Sequence, residues 1–565
     1  MKMFLLRNRK VSTTLLFNKR TKTMLNFESL NKDLKEFVHP FVVGEVFDGN
    51  GLKPKTLIEL TMMQLSGSIR SKDKWFEKIN DPTIVNKWKQ EAQQDNRLTS
   101  KQIDYVFDEL KYYDSIRNGS IEMSTVDSIW QSDQLISNEL RQSLVDFVAI
   151  LENIPEKDRD WHPNTNEQVL DLVHPSLFPY VNQMTRVTQQ VIPLDQTFES
   201  IGQGQPIDLF SNSIQNNYSQ SKIYQWLPAE FHIDENGQVT IESYINNLHP
   251  QQHQQLYSII EQIFSCFVPL FNQLLTDLLS IREKPNRISV DPYNWYDTSN
   301  EPQYSSDNEQ FDDIYQNYLE QRPLILPDAP TFQMPTIDST KKIDLKGRQL
   351  QVIVKLANII LTPSNPTYAG GVWHVEGMEN EHIVATGIYY YDNSNVTDAN
   401  LQFRTTVSEP DYEQNDDRGV RLVYGLTNDG PLNQYLGQIE TKQHRCLVFP
   451  NIYQHRLDSF QLLDRTHQGQ RKILVFFLVD PSKRILSTSN VPPQQSHWLN
   501  SFVHSISPFQ QLPTIVNEKI DSYQQFPMDL QQAKQHRDKL MFERKFFIQQ
   551  NNEFFFERPF SLCEH

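Results

Sequence analysis

Five short apolar runs between Leu345 and Asp480 constrain the fold of this chain more than any other feature. They are rich in β-branched and aromatic residues, and each is bounded by Gly, Pro, Asn or Asp. The runs read RQLQVIVKLANIILTP, HIVATGIYYYD, LQFRTTV, HRCLVFPNIYQHRL and RKILVFFLVDP. Such runs are typical of β-strands, and many short strands with turn-rich connections favour a sandwich or a small barrel.

The sequence before these runs has helical periodicity instead. Between Leu57 and Leu151, apolar residues recur with a period near 3.6, and Asp-Pro and Ser/Thr signals mark helix starts. Around Asn236-Gly237, two short alternating segments predict a β-hairpin, and a long amphipathic helix is predicted to follow from Pro250. The predicted fold class is therefore α+β.

Composition divides the chain into four parts. Residues 1–25 are basic, rich in hydroxyl residues and free of acidic ones, which is typical of a mitochondrial transit peptide or of a disordered tail. Residues 26–222 are predicted to be mainly helical. Residues 223–495 are predicted to form the β-rich domain, with an irregular insert at about 282–344, and residues 496–565 to form a helical extension.

Charge, cysteine content and missing motifs exclude several classes of protein. The formal net charge of -17 argues against binding to a nucleic-acid backbone. Cys266, Cys446 and Cys563 are far apart, which indicates a reducing compartment without a disulfide framework or a thiolate zinc site. No apolar run approaches the length of a membrane span. Nucleotide-binding, serine-hydrolase and zinc-protease motifs are missing from the sequence. We expect a cytoplasmic or mitochondrial protein that is not secreted.

The segment Gly370–His382, GGVWHVEGMENEH, is the strongest candidate for chemistry. In a strand, side chains at positions i and i+2 project to the same side, so His374 and Glu376 would point together into a barrel interior. His455 follows an apolar strand and a Pro-Asn turn. Two histidines and one carboxylate on a β-scaffold are the ligands of the facial-triad non-haem iron site. A zinc hydrolase could use the same ligands.

The order His-x-Glu, His and then Arg at the head of the next strand resembles the Fe(II)/2-oxoglutarate-dependent dioxygenases. This resemblance implies a double-stranded β-helix, a cupin-like jelly roll, in which His374, Glu376 and His455 bind Fe(II). It also implies that Arg471 pairs with the distal carboxylate of the cosubstrate 2-oxoglutarate, a role that suits guanidinium geometry. Arg465 is the alternative. Glu376 departs from the pattern, because Asp is the commoner residue there.

Longer phrases of the sequence resemble domain-of-unknown-function family 4246, over a match from about Phe47 to Trp498. This family implies no particular reaction, so the activity rests on the proposed ligands. The matching phrases are SYINNLHP at Ser243–Pro250, GGVWHVEGMENEHIVATGIYYYD at Gly370–Asp392, FPNIYQHR at Phe449–Arg456 and RKILVFFLVDP at Arg471–Pro481.

Five further residues are weaker candidates for the site. His382 is an alternative ligand, or else a loop residue beside the site. Asn380 is a candidate for orienting a ligand imidazole, although a solvated loop position is the plainer interpretation. Tyr389 and Tyr391 are candidates for hydrogen bonds to the cosubstrate, or else core residues. Lys472 is the opposite-face neighbour of Arg471.

The function implied by the resemblance is hydroxylation of a substrate, with release of succinate and CO2 from 2-oxoglutarate. The substrate can be a small molecule or a protein. Two other classes stay open: a cupin-like metalloenzyme that does not use 2-oxoglutarate, and a non-catalytic scaffold whose helical N-terminal region binds a partner.

Overall fold

The chain folds into helices and antiparallel sheets, which confirms the predicted α+β class. The computed structural model describes residues 31–43, 51–210, 219–304, 310–335, 339–507, 509–522 and 527–562. Residues 1–25, predicted as a transit peptide or tail, lie outside the described residues.

The strands are β1 (Glu122–Met123), β2 (Trp130–Ser132), β3 (Val169–Val173), β4 (Tyr180–Val181), β5 (Arg186–Val187), β6 (Gln205–Pro206), β7 (Tyr224–Gln225), β8 (Ala229–Ile233), β9 (Val239–Ile241), β10 (Gln349–Leu361), β11 (Thr367–Tyr368), β12 (Ile383–Ser394), β13 (Asn400–Thr406), β14 (Asn433–Glu440), β15 (Cys446–Pro450), β16 (Tyr453–Leu457), β17 (Phe460–Gln461) and β18 (Gly469–Val479).

The α-helices are α1 (Pro40–Val43), α2 (Leu57–Arg70), α3 (Trp75–Lys78), α4 (Pro82–Gln94), α5 (Ser100–Ser115), α6 (Asn138–Glu152), α7 (Gln254–Leu278), α8 (Phe311–Gln321), α9 (Asp417–Tyr424), α10 (Ser496–Ser505), α11 (Thr514–Ser522) and α12 (Leu530–Asn551), which continues into a π-helix at Asn552–Phe556. Short 3-10 helices lie at Glu156–Asp158, Leu194–Gln196, Pro292–Asn294, Ser339–Lys341, Glu379–Glu381 and Phe509–Gln511.

A large antiparallel sheet forms the centre of the fold. Its strand order is β1-β2-β15-β12-β18-β10-β8-β9, and β3 also pairs with β10. The central strand β18 is covered on both faces: Phe476 packs edge-on against Phe264 of α7, and Phe477 stacks on Trp226. Because both faces are covered, apolar residues follow one another along this strand instead of alternating with polar residues.

A smaller sheet faces the large one. Its strand order is β14-β13-β16. Strands β11 and β17 form a separate two-stranded sheet. Phe403 of β13 meets Phe449 of β15, with ring centroids 5.2 Å apart, so side chains of the two sheets share one interior. This interior is where the candidate site lies.

Helix α7 covers the other face of the large sheet. Thirteen of its 25 residues are buried. A Cβ on Gly387 of β12 would lie 3.0 Å from the rings of Phe267 and Phe271, so glycine permits the close approach of helix and sheet. By length and composition alone α7 could cross a membrane, although no segment of that length was expected from the sequence. In the structure, 56% of its most apolar 18-residue stretch is buried, as in the core helix of a folded domain.

The N-terminal helices begin where the sequence placed their start signals. Side chains at four N-caps accept backbone N–H groups: Thr56, Asp81, Thr99 and Ser137. The last of these helices, α6, ends at Glu152. From there to residue 222 the described residues form only short strands, 3-10 helices and loops, contrary to the expectation that residues 26–222 are mainly helical. The insert at 282–344 is also less irregular than expected, because it contains α8.

A buried ionic cluster ties this insert to the N-terminal helices. Arg287 Nε lies 2.8 Å from Glu109 Oε1, and its Nη2 lies 2.7 Å from Asp127 Oδ2. Arg70 of α2 also pairs with Asp127, at 3.1 Å. Burial raises the pKa of Asp127, but the charges of Arg287 and Arg70 outweigh burial and hold that pKa below its ordinary value. Nη1 of Arg287 also lies 3.6 Å from Glu59 Oε1 of α2, so one arginine contacts three carboxylates.

We predict that Arg287→Ala lowers the free energy of unfolding by about 3–5 kcal/mol, because it leaves Glu109 and Asp127 buried without their main cation. Urea denaturation followed by circular dichroism measures this. The control is Arg97→Ala, which breaks a pair with Asp95 whose side chains are 58% and 51% exposed. The control should unfold at the wild-type urea concentration; equal midpoints for both variants would contradict the role of Arg287.

Candidate metal centre

Two histidines meet across one backbone bridge inside the β-rich domain. The N–H of His374 donates to the carbonyl of His455 over 3.2 Å, and the reverse bond is 3.0 Å long. Residues paired in this way across two strands project their side chains to the same side. The two imidazole centroids are accordingly 4.3 Å apart, with 50° between the ring planes.

Glu376 completes the group, although not by the strand alternation that the sequence predicted. Only His374 is in a bridge, and the chain bends at Glu376. The following residue, Gly377, has φ +71°, and a Cβ there would lie 2.8 Å from the Ile383 side chain. The bend ends strand pairing, so the carboxylate approaches the imidazoles from a loop.

The three side chains present their donor atoms to one point. Glu376 Oε1 lies 3.7 Å from His374 Nε2 and 3.5 Å from His455 Nε2. One donor atom from each residue lies within 4.8 Å of the others. Two atoms that each lie about 2.1 Å from one octahedral ion are about 3 Å apart. Small side-chain rotations would therefore place all three on a single cation.

The tautomer of His374 suits a metal ligand. Its Nδ1 lies 2.7 Å from the carbonyl oxygen of Val372, so Nδ1–H donates to that oxygen. In the neutral imidazole Nε2 then carries the lone pair, and this atom faces Glu376. Histidine ligands of metals typically donate their second ring N–H to such an acceptor.

The electrostatics describe an anionic carboxylate between two imidazoles. Burial raises the pKa of Glu376, but hydrogen bonds and charges from His374 and His455 outweigh it and bring that pKa well below its ordinary value. Burial lowers the pKa of His374, yet the Glu376 carboxylate raises it overall. Burial and the neighbouring His374 charge lower the pKa of His455. Two imidazole nitrogens and one carboxylate oxygen form a donor set that fits a first-row divalent metal.

Access to this group is from the His374 side. The His374 side chain is 36% exposed, whereas Glu376 is 16% and His455 5% exposed. Val372 in the same loop is 70% exposed. The open edge of the site is therefore the loop that carries His374.

Glu381 anchors the far end of this loop, a role that the sequence analysis missed. The side chain is fully buried and accepts the backbone N–H of Trp226 over 2.9 Å and that of Met378 over 2.5 Å. Arg544 of α12 pairs with the same carboxylate at 2.5 Å. The C-terminal helix thus holds the loop that carries Glu376. Three acidic residues in the loop were visible in the sequence, but the partner of this one was not.

Arg471 is buried in β18, with 1% of its surface exposed. Its Nη2 is 3.5 Å from the carbonyl of Thr397, its Cζ lies 4.2 Å from the centroid of the Phe460 ring, and Nε and Nη1 have no hydrogen-bond partner among the described residues. Burial lowers its pKa. A buried guanidinium with unused N–H groups favours an anionic ligand. The alternative, Arg465, is in contact with Gln461 in an exposed setting.

Lys355 is a second interior cation that was not among the residues predicted from the sequence. Ile359 pairs with Arg471 in the sheet, and Lys355 lies four residues from Ile359, so both cations are on the same face. The charge of Lys355 lowers the pKa of His374. A lysine inside the apolar run QVIVKLANII was the signal that could have identified it.

Three weaker candidates lie on the opposite, helix-covered face of the large sheet. Lys472 Nζ is 2.8 Å from both carboxylate oxygens of Glu152 in α6. The Tyr391 hydroxyl is 3.4 Å from Asn358 Oδ1, and Asn358 also bonds to Glu152. Tyr389 is buried opposite Cys446 of β15. The structure does not bring these side chains to the His374 group.

The two loop candidates also serve other contacts. His382 has φ +47° and lies with its ring centroid 5.9 Å from that of His39. Asn380 accepts the backbone N–H of Ser221 over 3.2 Å and donates to the carbonyl of Tyr224 over 3.1 Å. Both residues fold the loop, and neither is in the group of three donors.

A second group of potential ligands, His162, Asp171 and His174, also lies within 4.8 Å. His162 Nδ1 is 2.7 Å from Asp171 Oδ2. The backbone N–H of Ser176 donates to His174 Nδ1 over 3.2 Å. With Nδ1 as acceptor, Nε2 of a neutral His174 carries the proton, which is the opposite tautomer to that of His374. We interpret this group as a hydrogen-bonded carboxylate between two imidazoles.

Comparisons with known proteins identify a family. The family described as protein of unknown function (DUF4246) matches residues 100–501, and the N-terminal domain of unknown function DUF4246 matches residues 18–91. No curated protein matches the chain.

Similar solved structures include a dioxygenase, TqaL, which is Fe(II)/α-ketoglutarate-dependent: it is 10% identical, has a TM-score of 0.22 and aligns over 61% of this chain and 91% of its own. IDO from Bacillus thuringiensis is 16% identical, with a TM-score of 0.16 over 34% of this chain and 67% of its own. The α-ketoglutarate-dependent epimerase SnoN from nogalamycin biosynthesis is 10% identical and has a TM-score of 0.14. It aligns over 22% of this chain and 46% of its own. These scores carry no weight for the function, which rests on the site itself.

We predict that His174→Gln flattens the pH dependence of stability. Burial lowers the pKa of His174 from 6.5 to about 3. Between these values the unfolded chain binds a proton that the folded protein does not, so stability falls as the pH falls from 6.5 towards 3. At pH 5 this effect amounts to at most about 2 kcal/mol. Urea denaturation at pH 7 and pH 5 measures it.

The control for this variant is His467→Gln, whose side chain is 77% exposed. It should lose as much stability between pH 7 and pH 5 as the wild type does. An equal loss in His174→Gln would show that His174 does not contribute to the acid sensitivity.

Proposed function

The chain belongs to the DUF4246 family, and from the geometry of its site we propose that it is an Fe(II)- and 2-oxoglutarate-dependent dioxygenase. The observation that carries this proposal is the convergence of His374, Glu376 and His455. The Nε2 atoms of the two histidines lie 3.7 and 3.5 Å from Oε1 of the glutamate. Two imidazoles and one carboxylate on a β-scaffold are the facial-triad ligands of non-haem Fe(II) oxygenases.

The strand order supports a double-stranded β-helix as the core. In the large sheet, four strands of the β-rich domain are adjacent in the order β15-β12-β18-β10. Facing them is the order β14-β13-β16, and the His374 segment extends it as a fourth member through the bridge to His455. Two facing four-stranded antiparallel sheets with such crossovers form a jelly roll. The donors lie between the two sheets, at the edge where the bridge ends.

The residues divide the work as follows. His374, Glu376 and His455 would hold the ion, and a facial triad leaves coordination positions free for other ligands. When bound, Fe(II) supplies the activation of dioxygen that couples oxidation of 2-oxoglutarate to hydroxylation of a substrate. The chain itself orients both reactants. The buried His455 and the half-buried Glu376 also limit the access of water from one side of the site.

A dianionic cosubstrate needs a buried cation for its distal carboxylate. Arg471 is our candidate, because Nε and Nη1 of its buried guanidinium have no partner among the described residues. Either of them can pair bidentately with a carboxylate together with Nη2, which is 3.5 Å from the Thr397 carbonyl. Lys355 is the second candidate, since its charge acts on His374. Both lie on the interior face of the large sheet. The substrate would enter at the exposed loop beside His374 and can be a small molecule or a protein.

Two other functions make different predictions. A cupin-like metalloenzyme would use the same three ligands and turn over without 2-oxoglutarate. A non-catalytic scaffold would stay folded and bind no divalent metal. The non-catalytic scaffold gives no role to the buried, unpaired nitrogen atoms of Arg471.

We predict that His374→Ala and His455→Ala each abolish Fe(II) binding and succinate formation, because each removes one of three protein ligands. Succinate release from 2-oxoglutarate under air, followed by NMR on anaerobically iron-loaded protein, measures the activity. His467→Ala is the control, since that side chain is exposed and hydrogen-bonded within its own turn. Wild-type succinate formation in either ligand variant would discard this set of ligands.

We predict that Arg471→Ala raises the KM for 2-oxoglutarate at least about tenfold, a loss typical of a charge-assisted hydrogen-bonded contact. Iron binding should be unchanged. Lys355→Ala, assayed in parallel, distinguishes the two interior cations. Lys472→Ala is the control on the opposite face of β18. An unchanged KM in Arg471→Ala with a raised KM in Lys355→Ala would move the anchor to Lys355.

A further inference from the structure

The backbone of Glu376 has lost its strand partner. The hydrogen-bonded pairing with β16 includes His374, but the chain then bends, and no strand lies beside Glu376 among the described residues. Its N–H and C=O are polar groups at a half-buried position, where unpaired backbone groups are costly. A long side chain such as glutamate also has more rotamers than aspartate, so its base needs firm support to present a ligand atom.

Asn451 supplies both missing partners. Its Oδ1 accepts the Glu376 N–H over 2.8 Å, and its Nδ2 donates to the Glu376 carbonyl over 2.9 Å. The same Nδ2 donates to the carbonyl of Ile383, also over 2.9 Å. Asn451 is 1% exposed, so water does not compete for these bonds. A side-chain amide has the donor and acceptor of a peptide group, and here it replaces the peptide of an absent strand.

Asn451 is also fixed with respect to His455. It occupies the turn between β15 and β16, four residues before His455 in the chain. Its own backbone N–H donates to the carbonyl of Val384 at the start of β12, over 2.9 Å. The residue therefore connects the segment of the carboxylate ligand, the first residues of β12 and the turn that leads to the second histidine.

We propose that Asn451 is the positioning residue of the metal centre: it sets the distance between the Glu376 carboxylate and the His455 imidazole. This inference rests on the proposed function, because it assigns a role in metal binding. Groups that orient metal ligands typically change metal affinity 10- to 100-fold when they are removed. Asn451 makes no contact with the ion in this proposal and acts through Glu376 alone.

The experiment compares two buried asparagines. Asn451→Ala should weaken Co(II) binding by about 10- to 100-fold in isothermal titration of the full chain. The matched control is Asn246→Ala: Asn246 is also buried and donates from Nδ2 to two backbone carbonyls, those of Leu177 and Phe178. Both variants should lower the thermal midpoint, but only Asn451→Ala should lower Co(II) affinity. Equal affinities for the two variants would overturn the proposal.

A double-mutant cycle separates positioning from general destabilisation. In a Glu376→Ala background, Asn451→Ala should cause no further loss of Co(II) affinity, although it should still lower the thermal midpoint. A loss that adds to that of Glu376→Ala would overturn the proposal. If Asn451→Ala does not fold, Asn451→Ser, whose hydroxyl is both a donor and an acceptor, takes its place in the cycle.

The wild-type titration separates this inference from the proposed function. If the wild-type chain binds no Co(II), the metal centre and the role of Asn451 both fail. If the wild type binds Co(II) and Asn451→Ala binds it equally well, only the positioning role fails and the dioxygenase proposal stands.

Discussion

The reciprocal backbone pair between His374 and His455 is the interaction on which the candidate site depends. Two hydrogen bonds, 3.2 and 3.0 Å long, join segments that are far apart in the chain and direct two imidazoles to one side. Without this backbone pair, the two imidazole rings would not be directed towards each other. Glu376 then approaches from a bend that Asn451 stabilises. The site is therefore a consequence of where one strand pairing stops. Backbone hydrogen bonds place the two histidines, and the side chain of Asn451 supports the backbone of Glu376.

Much of this arrangement could be predicted from short patterns. The His-x-Glu spacing, the later histidine and the apolar run after it indicated the donors that the structure brings together, because these patterns are local and strongly constrained. The predicted reason for the approach of Glu376 was wrong. Strand alternation does not apply at a bend, and the support from Asn451 depends on a contact between residues 75 apart. The anchoring role of Glu381 was missed for the same reason, since Trp226 and Arg544 are remote from it in sequence.

The two faces of β18 explain why neighbouring residues have unrelated roles. Arg471 lies on the interior face with unused N–H groups, whereas Lys472 is fully paired with Glu152 on the helix side. The sequence shows only two adjacent cations. Alternation assigns them to opposite sides, but which side is the interior depends on how α6 and α7 pack against the sheet. The continuous apolar character of this strand, with both faces covered, removes the polar residues that would have marked the difference.

The pairing of Glu381 with Arg544 has a consequence for biosynthesis. These residues are 163 positions apart, and the ribosome makes the carboxylate long before its cation. Until the helix that carries Arg544 is translated, Glu381 lacks the arginine that contacts it in the folded protein. The support of the segment that presents Glu376 is therefore complete only after α12 has been translated and has docked.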